Sequence, residues 1–464
     1  MVSMSNFSIT IVGAGYSGTL LALQLLRAAS AASKTENLKI YLLEKTGVFG
    51  PGVAYSTTDG DHLLNVPAAR MSAFPDEPEH FLRWLTKRNP QATTATFAPR
   101  REYGKYIQEL LQTEIENIKS QSCVELITDE AISFARGKNG GGTVNLKGGR
   151  ALESSIVVLA VGHFPPGRSG LALGGIESST RYTENCWHNS FVPPKNGKVL
   201  ILGSGLTMVD IVLQLENRGF AGEVTAVSRR GLLPNTHKLS LPVPQPFVMD
   251  SFAFLTVRSL LHKVRQAVRT GASQGTDWRT IIDSMRPITA DLWLALSPKE
   301  KQCFLRHVRP YWDVVRHRMA PEVAARLQRL REEGKFFLLA ARTLKLYEAK
   351  DKVNVVLRLR GQQDEVEKSY DFVINCIGPE SDYRRISSPL IQCLLREGIA
   401  RPDAVNLGLD MDQNGALLDE NLSPSSVFYT IGPIRKGKLW ESIAVPELRV
   451  QAKMLAQHLL AMAK

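Results

Sequence analysis

Short apolar runs that stop at a glycine recur along this chain, and most are followed by residues at helical spacing. The first is Ile9-Thr10-Ile11-Val12, which turns into Gly13-Ala14-Gly15-Tyr16-Ser17-Gly18 and then a run with Leu20, Leu21, Leu23, Leu25 and Leu26. A continuous apolar run of this kind reads as a buried parallel strand. Lys39 to Leu43 reads as the next strand, with Glu44 at its end and Lys45 after it, and Ser155 to Gly162 as a further buried strand ending in glycine. Then the pattern restarts. Lys198 to Leu202 leads into Gly203-Ser204-Gly205, a helix starts near Leu206, and Glu223 to Ser228 is its second strand. Asp371 to Gly378 closes this set as Ser155 to Gly162 closes the first. Strand, glycine loop, helix and strand, twice over, predict an α/β protein with two Rossmann-like dinucleotide-binding domains.

The glycine spacing has a physical reason. In the first loop Gly13 permits a tight strand-to-helix turn, Gly15 lets a pyrophosphate approach the backbone, and Gly18 lets the helix pack closely on the strand. The free N–H groups at the helix start then face the phosphates. Glu44 is placed to accept hydrogen bonds from a ribose. The second loop is degenerate: Met208 stands where a third glycine would be, which predicts looser packing of that helix. Its second strand ends in Arg229-Arg230 instead of an acid. Arginine there suits a ribose 2′-phosphate, against the plainer reading that both side chains face solvent. One glycine loop alone can be an ordinary α/β turn; two in one chain call for two nucleotides.

The segments between are read more coarsely. Gly47 to Tyr55 and His62 to Pro67, which includes Asn65, form a long excursion of the sort that covers a cofactor. Helices are expected over Glu79 to Arg88, Arg100 to Lys119 and Val445 to Met462, with strands over Val124 to Phe134 and Thr143 to Leu146. Ser251 to Glu333 reads as mostly helical and carries Arg306, His307, Trp312, His317 and Arg318. Such a block is either an aromatic core with a basic face or a pocket wall for a planar anion, since tryptophan stacks and arginine pairs in a bidentate manner. Val427 to Pro433, with Gly432, is a short strand and turn. The expected plan is a first domain over 1–195 completed by 380–464, a second over 196–250 completed by 335–379, and a helical insertion over 251–334.

Composition narrows the function classes. The 464 residues suffice for two or three domains, and 44% hydrophobic with 22% charged residues is a soluble globular balance. No run approaches the roughly 20 apolar residues of a membrane span. Met1 to Ser8 lacks a basic leader region, so no signal peptide and a cytoplasmic location are expected. The five cysteines include no C-x-x-C pair, which argues against a dithiol site and a structural zinc site, and no metal is expected. No Ser-His-Asp or Cys-His signature marks a catalytic nucleophile. The formal charge of +12 favours anions: cofactor phosphates or an acidic substrate, and not nucleic acid, for which no motif is present.

Several motifs carry a resemblance: Gly13 to Gly18, Phe49 to Tyr55, Leu64 to Pro67, Gly203 to Gly205 with Met208-Val209-Asp210, Arg229-Arg230-Gly231, and the block from Arg306-His307 to His317-Arg318. In these the chain resembles the bacterial FAD/NAD(P)-binding two-dinucleotide-domain flavoproteins related to flavin monooxygenases, a group that includes FAD-dependent urate hydroxylase. The resemblance covers essentially the whole chain. It implies FAD in the N-terminal unit, completed by the C-terminal segment, and NADH or NADPH in the middle unit. It extends the cofactor contacts expected of Gly13, Gly15, Gly18, Glu44, Gly203, Gly205, Arg229 and Arg230 to Ser17, Lys45, Asn65, Gly162 and Gly432. For the substrate it points to Arg306, His307, Trp312, His317 and Arg318. The F-x-G-x-x-x-H signature of Baeyer–Villiger and related N-oxidising monooxygenases is absent, and His163 follows Gly162 at the wrong spacing for it. The expected activity is NAD(P)H- and oxygen-dependent hydroxylation of a small planar anion, with urate to 5-hydroxyisourate as the named candidate. The alternatives are an NAD(P)H-dependent flavin reductase or dehydrogenase, and a nucleotide-binding redox sensor without turnover.

Overall fold

The computed structural model describes residues 7–31, 38–117, 123–137, 140–167, 172–188, 191–238, 246–249 and 251–463. In chain order its strands are β1 (Phe7–Val12), β2 (Leu38–Leu43), β3 (Val124–Ile127), β4 (Ala131–Arg136), β5 (Gly142–Leu146), β6 (Ala151–Ser154), β7 (Ile156–Leu159) and β8 (Tyr182–Thr183). They continue with β9 (Lys198–Leu202), β10 (Glu223–Ser228), β11 (Phe336–Ala349), β12 (Lys352–Leu359), β13 (Glu365–Tyr370), β14 (Phe372–Asn375), β15 (Ala416–Leu418) and β16 (Pro424–Thr430).

Two sheets dominate. The first runs β15-β16-β7-β1-β2-β3 and the second β13-β12-β11-β10-β9-β14-β8. The inner strands are parallel in both: β1 lies between β2 and β7, and β9 between β10 and β14. The two units repeat each other bond for bond at the strand ends. Gly13 N donates to Leu43 O at 3.0 Å, and Gly203 N to Val227 O at 2.8 Å. Ala160 N donates to Val12 O at 2.9 Å, and Cys376 N to Leu202 O at 2.8 Å. Each glycine loop thus sits at the carboxyl end of its sheet, between the second strand and the closing strand, where nucleotides bind in open α/β folds.

Both sheets also take strands from outside their glycine units. β15 and β16 extend the first sheet, with β16 parallel to β7, while β11 to β14 belong to the second. Tyr182–Thr183, expected in the first unit, instead pairs with β14 at the edge of the second sheet. Val124 to Phe134 is two strands: the Asp129 carboxylate accepts from Glu130 N and Gly148 N and fixes a turn between them. The helix expected over Arg100 to Lys119 spans Arg100–Asn117; Lys119 lies outside the described residues, as do Met1 to Asn6 and the expected domain boundary at Asp250. Met208 does not loosen its helix. It is fully buried in one cluster with Val199, Ile201, Phe372 and Cys376, so side-chain packing holds the helix where a glycine would allow backbone contact.

The C-terminal helix Val445–Met462 packs on the first glycine-loop helix Tyr16–Ala31 through Leu448, Ala452, Leu455 and Leu459. The insertion is helical as expected, from Val257–Ser273 to Pro321–Glu332. It docks on the C-terminal segment: Trp293 stacks on Trp440 at 4.8 Å between ring centroids, and Trp293 Nε1 donates to Gly437 O at 2.8 Å. No helix among the described residues is long and apolar enough to cross a membrane.

Candidate cofactor cradles and an arginine-lined cavity

The first glycine loop is built to the limit of backbone approach. Gly13 has φ +100°, and a Cβ there would lie 2.5 Å from Ala160 O; a Cβ on Gly18 would be closer still to Gly13 O. Gly15 faces Gly52, whose Cα would be 3.3 Å from a Gly15 Cβ, so the Gly47 to Tyr55 excursion folds directly over the loop. Gly50 N donates to Ala14 O at 2.8 Å and pins it. Glu44 accepts from Ala14 N at 3.2 Å and from Thr46 N and Oγ1 at 3.1 and 2.9 Å. Its carboxylate therefore stands beside the loop. Gly432, φ +90°, would drive a Cβ to within 2.7 Å of Ser17 Oγ, so the C-terminal segment closes on the helix start. A Cβ at Gly162 would meet nothing within 4 Å; Lys45 is exposed.

The second cradle is more open. A Cβ on Gly203 would lie 2.4 Å from Cys376 O, whereas one on Gly205 would meet nothing within 4 Å. That free space beside a helix start fits a phosphate group. Ser204 Oγ shares a 2.8 Å hydrogen bond with Ser228 Oγ and donates to Leu232 O at 2.7 Å, tying the loop to the end of β10. Arg230 is engaged by the insertion: Nη1 donates to Tyr311 Oη at 3.2 Å and the guanidinium lies 5.0 Å from that ring centroid. Arg229 is exposed, with no hydrogen bond or ion pair among the described residues.

Between the units lies a cavity of about 170 Å³. Its walls come from the excursion (Tyr55, Asn65, Arg70), from Arg100, from His237, from the insertion (Asp283, Arg286, Arg316 to Arg318) and from the start of the C-terminal helix (Ile443 to Val445). Four of the five arginines are matched by acids. Arg318, fully buried, makes bonds of 2.8 and 3.2 Å to the two Asp283 oxygens. Arg316 holds both Glu441 oxygens, at 3.1 and 3.2 Å, and Arg286 holds both oxygens of Glu447. Arg100 pairs with Asp210 of the second glycine-loop helix at 2.9 Å. The Arg70 side chain, exposed at the rim, makes no hydrogen bond or ion pair among the described residues. The start of the C-terminal helix, whose cap residue Ala444 offers no side-chain bond, adds the positive end of its dipole to the same wall.

Two histidines line this space in neutral form. Burial pushes His317 down to about 3, helped by Arg316, and pushes His237 down to about 4, while its bond to Asn65 O at 3.0 Å opposes the shift. Unfolded histidines take up protons near 6.5, but these two resist until well below it. Their contribution is complete above pH 6.5 and is lost as pH falls toward 4. Urea unfolding across that range is expected to show falling stability, with a shallower fall in His317→Gln; an unchanged slope in the variant contradicts the assignment. Burial likewise pushes the Tyr55 phenol up to about 12, so it faces the cavity protonated.

Of the residues expected at the substrate, His317 and Arg318 line the cavity, but Arg306 and His307 are exposed on the helix Pro298–His307, and Trp312 packs on the insertion's own aromatic cluster. Arg70, Arg100, Asp283, Arg316 and His237 were not singled out as site residues by sequence reasoning. Arg70 alone had a local signal, three residues beyond Leu64-Asn65-Val66-Pro67; the rest are joined by the fold. No group of three or more potential metal ligands occurs among the described residues.

Residues 10–164 match the FAD-NAD(P)-binding family. The match spans the first glycine loop and Glu44 and stops short of the second loop. No curated protein is a significant sequence match. Among solved structures the chain is similar to reduced ornithine hydroxylase from Pseudomonas aeruginosa, at 16% identity and TM-score 0.67, covering 99% of this chain and 100% of that one. L-lysine 6-monooxygenase from Pseudomonas syringae follows at 16% and 0.63, with 99% and 100% covered. The cadaverine monooxygenase of Erwinia amylovora, bound to FAD, stands at 12% and 0.64, with 98% and 94% covered. At these identities the likeness establishes the fold alone, a two-sheet α/β architecture shared along nearly the whole chain. These three enzymes are named for the amines ornithine, lysine and cadaverine, and none is a urate hydroxylase.

Proposed function

We propose that this chain is an FAD-dependent monooxygenase that draws electrons from NADH or NADPH and hydroxylates a small anion. The observation that supports it best is the cavity itself, which lies between two duplicated cradles and carries one more arginine than acids to match. In this reading the unit of the first sheet holds FAD through Gly13, Gly15, Ser17, Gly18, Glu44 and Gly432, and the unit of the second sheet holds the nicotinamide nucleotide through Gly203 and Gly205. Bound FAD, once reduced, supplies the oxygen chemistry. The chain's part is positional. Arg70 takes the anionic group, His317 and Arg318 shape the wall, and Leu64, Pro67, Met71 and Ile443 exclude water. Five free cysteines agree with a cytoplasmic enzyme.

Urate remains the candidate that the motif resemblance names. A second reading, hydroxylation of an amine, is favoured by the likeness to the ornithine, lysine and cadaverine enzymes. The cavity's charge orders these substrates: an amino acid brings a carboxylate for Arg70, whereas a diamine meets five arginines and one carboxylate, Asp283, that Arg318 already holds. The test supplies FAD-loaded protein with NAD(P)H, labelled oxygen and either urate, ornithine, lysine or cadaverine. Label in an organic product, formed in step with nicotinamide oxidation, supports a monooxygenase and names its substrate. Stoichiometric peroxide with no labelled product from any of them favours the reductase.

The choice of nicotinamide follows from Arg229 and Arg230. Losing a charge-assisted contact to a 2′-phosphate costs about 1.5–3 kcal/mol, or roughly 10- to 100-fold. Arg229→Ala with Arg230→Ala is expected to raise the KM for NADPH by that factor and leave NADH little changed. Equal losses for both nucleotides would assign the arginines to the protein's own surface.

A further inference from the structure

The helix Val257–Ser273 is cationic without any acid: Arg258, Lys263, Arg265 and Arg269 lie on it, and no Asp or Glu. Residues 258, 262, 265 and 269 follow the i, i+4, i+7, i+11 spacing of a single helical stripe. Arg258, His262, Arg265 and Arg269 are all exposed, and no ion pair of the three arginines is found among the described residues. The opposite side, with Leu260 and Val264, packs on the insertion's core. The stripe is therefore turned to solvent by the packing of the helix itself.

Just before this helix the chain exposes apolar side chains. Phe254 is 100% exposed, Val248 68% and Phe252 38%. Phe254 also has φ +55°, a conformation bulky L-residues rarely adopt. A fully solvated aromatic ring buries no apolar surface within the chain, and here Phe252 and Phe254 directly precede a helix with an exposed cationic stripe, a combination that suits an interaction surface. The neighbouring residues anchor the segment: Leu255 and Val257 are buried, and Thr256 caps the helix in a reciprocal bond with Ser259.

We propose that this face docks the protein on an anionic lipid surface, with Phe254 and Phe252 entering the headgroup boundary and the arginine stripe lying over the phosphates. An apolar tip followed by a basic amphipathic helix is the physical profile of interfacial binding. Charge chooses between occupants: the chain carries +12, so a second copy would bring like charge to the stripe, whereas an anionic leaflet attracts it. Nucleic acid would engage the arginines but would give the apolar tip no apolar layer to enter.

FAD-loaded protein is sedimented with vesicles of phosphatidylcholine alone or of phosphatidylcholine with phosphatidylserine, at low and at high salt. Binding is expected to the mixed vesicles and to weaken with salt. Arg258→Gln, Arg265→Gln, Arg269→Gln together should lower the partition coefficient roughly 100-fold, at about fivefold per arginine. Phe254→Gly, which also relieves the backbone, should lower it about 10-fold while flavin content and thermal stability are kept or improved. Failure to sediment with either vesicle, or binding that is indifferent to both variants, overturns the proposal. Tighter binding to duplex DNA that depends on the arginines and not on Phe254 would assign the face to nucleic acid instead, and a Phe254-dependent dimer without vesicle binding would assign it to a second copy.

Discussion

Gly15→Val yields a folded but colourless protein. The new Cβ lies 3.3 Å from Gly52 Cα, a contact that a shift of a few tenths of an ångström accommodates, so the chain still folds. Its two methyl groups, however, stand where a pyrophosphate must meet the loop backbone. Losing two or more charge-assisted bonds at about 1.5–3 kcal/mol each lowers FAD affinity roughly 1,000-fold. The check is flavin absorbance per protein after desalting, beside circular dichroism to show the fold. Gly205→Val is the internal control. Its Cβ meets nothing within 4 Å, so the fold is untouched, and the variant should be fully yellow. It should be reduced by dithionite but not by NAD(P)H at concentrations that saturate the parent. If the colours are exchanged between the two variants, the cofactors are assigned to the wrong cradles. If both are yellow and both are reduced by NAD(P)H, neither loop holds a pyrophosphate as described.

The two cradles were legible in the sequence because their requirements are local. A tight turn, a close backbone approach and a buried strand each restrict residue type within a few positions, and Gly13, Gly18 and Gly203, where a Cβ would run into backbone, answer those restrictions. Val445–Met462 was legible for the same reason, with apolar periodicity and a proline in its first turn. The cavity was not. Its ion pairs join Arg318 to Asp283, Arg316 to Glu441 and Arg286 to Glu447, across loops whose closure no spacing announces. The substrate block shows the same limit. Arg306, His307, Trp312, His317 and Arg318 fall close together in sequence, but the turn between two helices sends the first two to solvent and the last two inward. Tyr182–Thr183 went to the second sheet because a two-residue edge strand has too little pattern to declare its partner.

Removing the acid beside the most buried of these arginines separates what holds the cavity together from what the cavity holds. Arg318 has 1% of its side chain exposed and Asp283 20%, so Asp283→Asn leaves a guanidinium without a counterion and nearly without water. Breaking a buried pair from one side costs about 3–5 kcal/mol, and the partial exposure of Asp283 places this one near about 3 kcal/mol. Urea unfolding of the FAD-loaded protein is expected to show that loss for Asp283→Asn and a comparable one for Arg318→Met. The double variant Asp283→Leu, Arg318→Met should recover most of it, because two apolar side chains of similar size desolvate nothing charged. Additive losses in the double variant would mean that the two residues are stabilised by other neighbours and not by each other. Anion binding should move the opposite way. Asp283→Asn makes the wall more cationic, so a small anion should protect it against unfolding more than it protects the parent. Arg70→Gln, at the exposed rim, should abolish most of that protection at little cost to stability. Protection that survives Arg70→Gln unchanged would move the anion's partner deeper, to the arginines that the acids already hold.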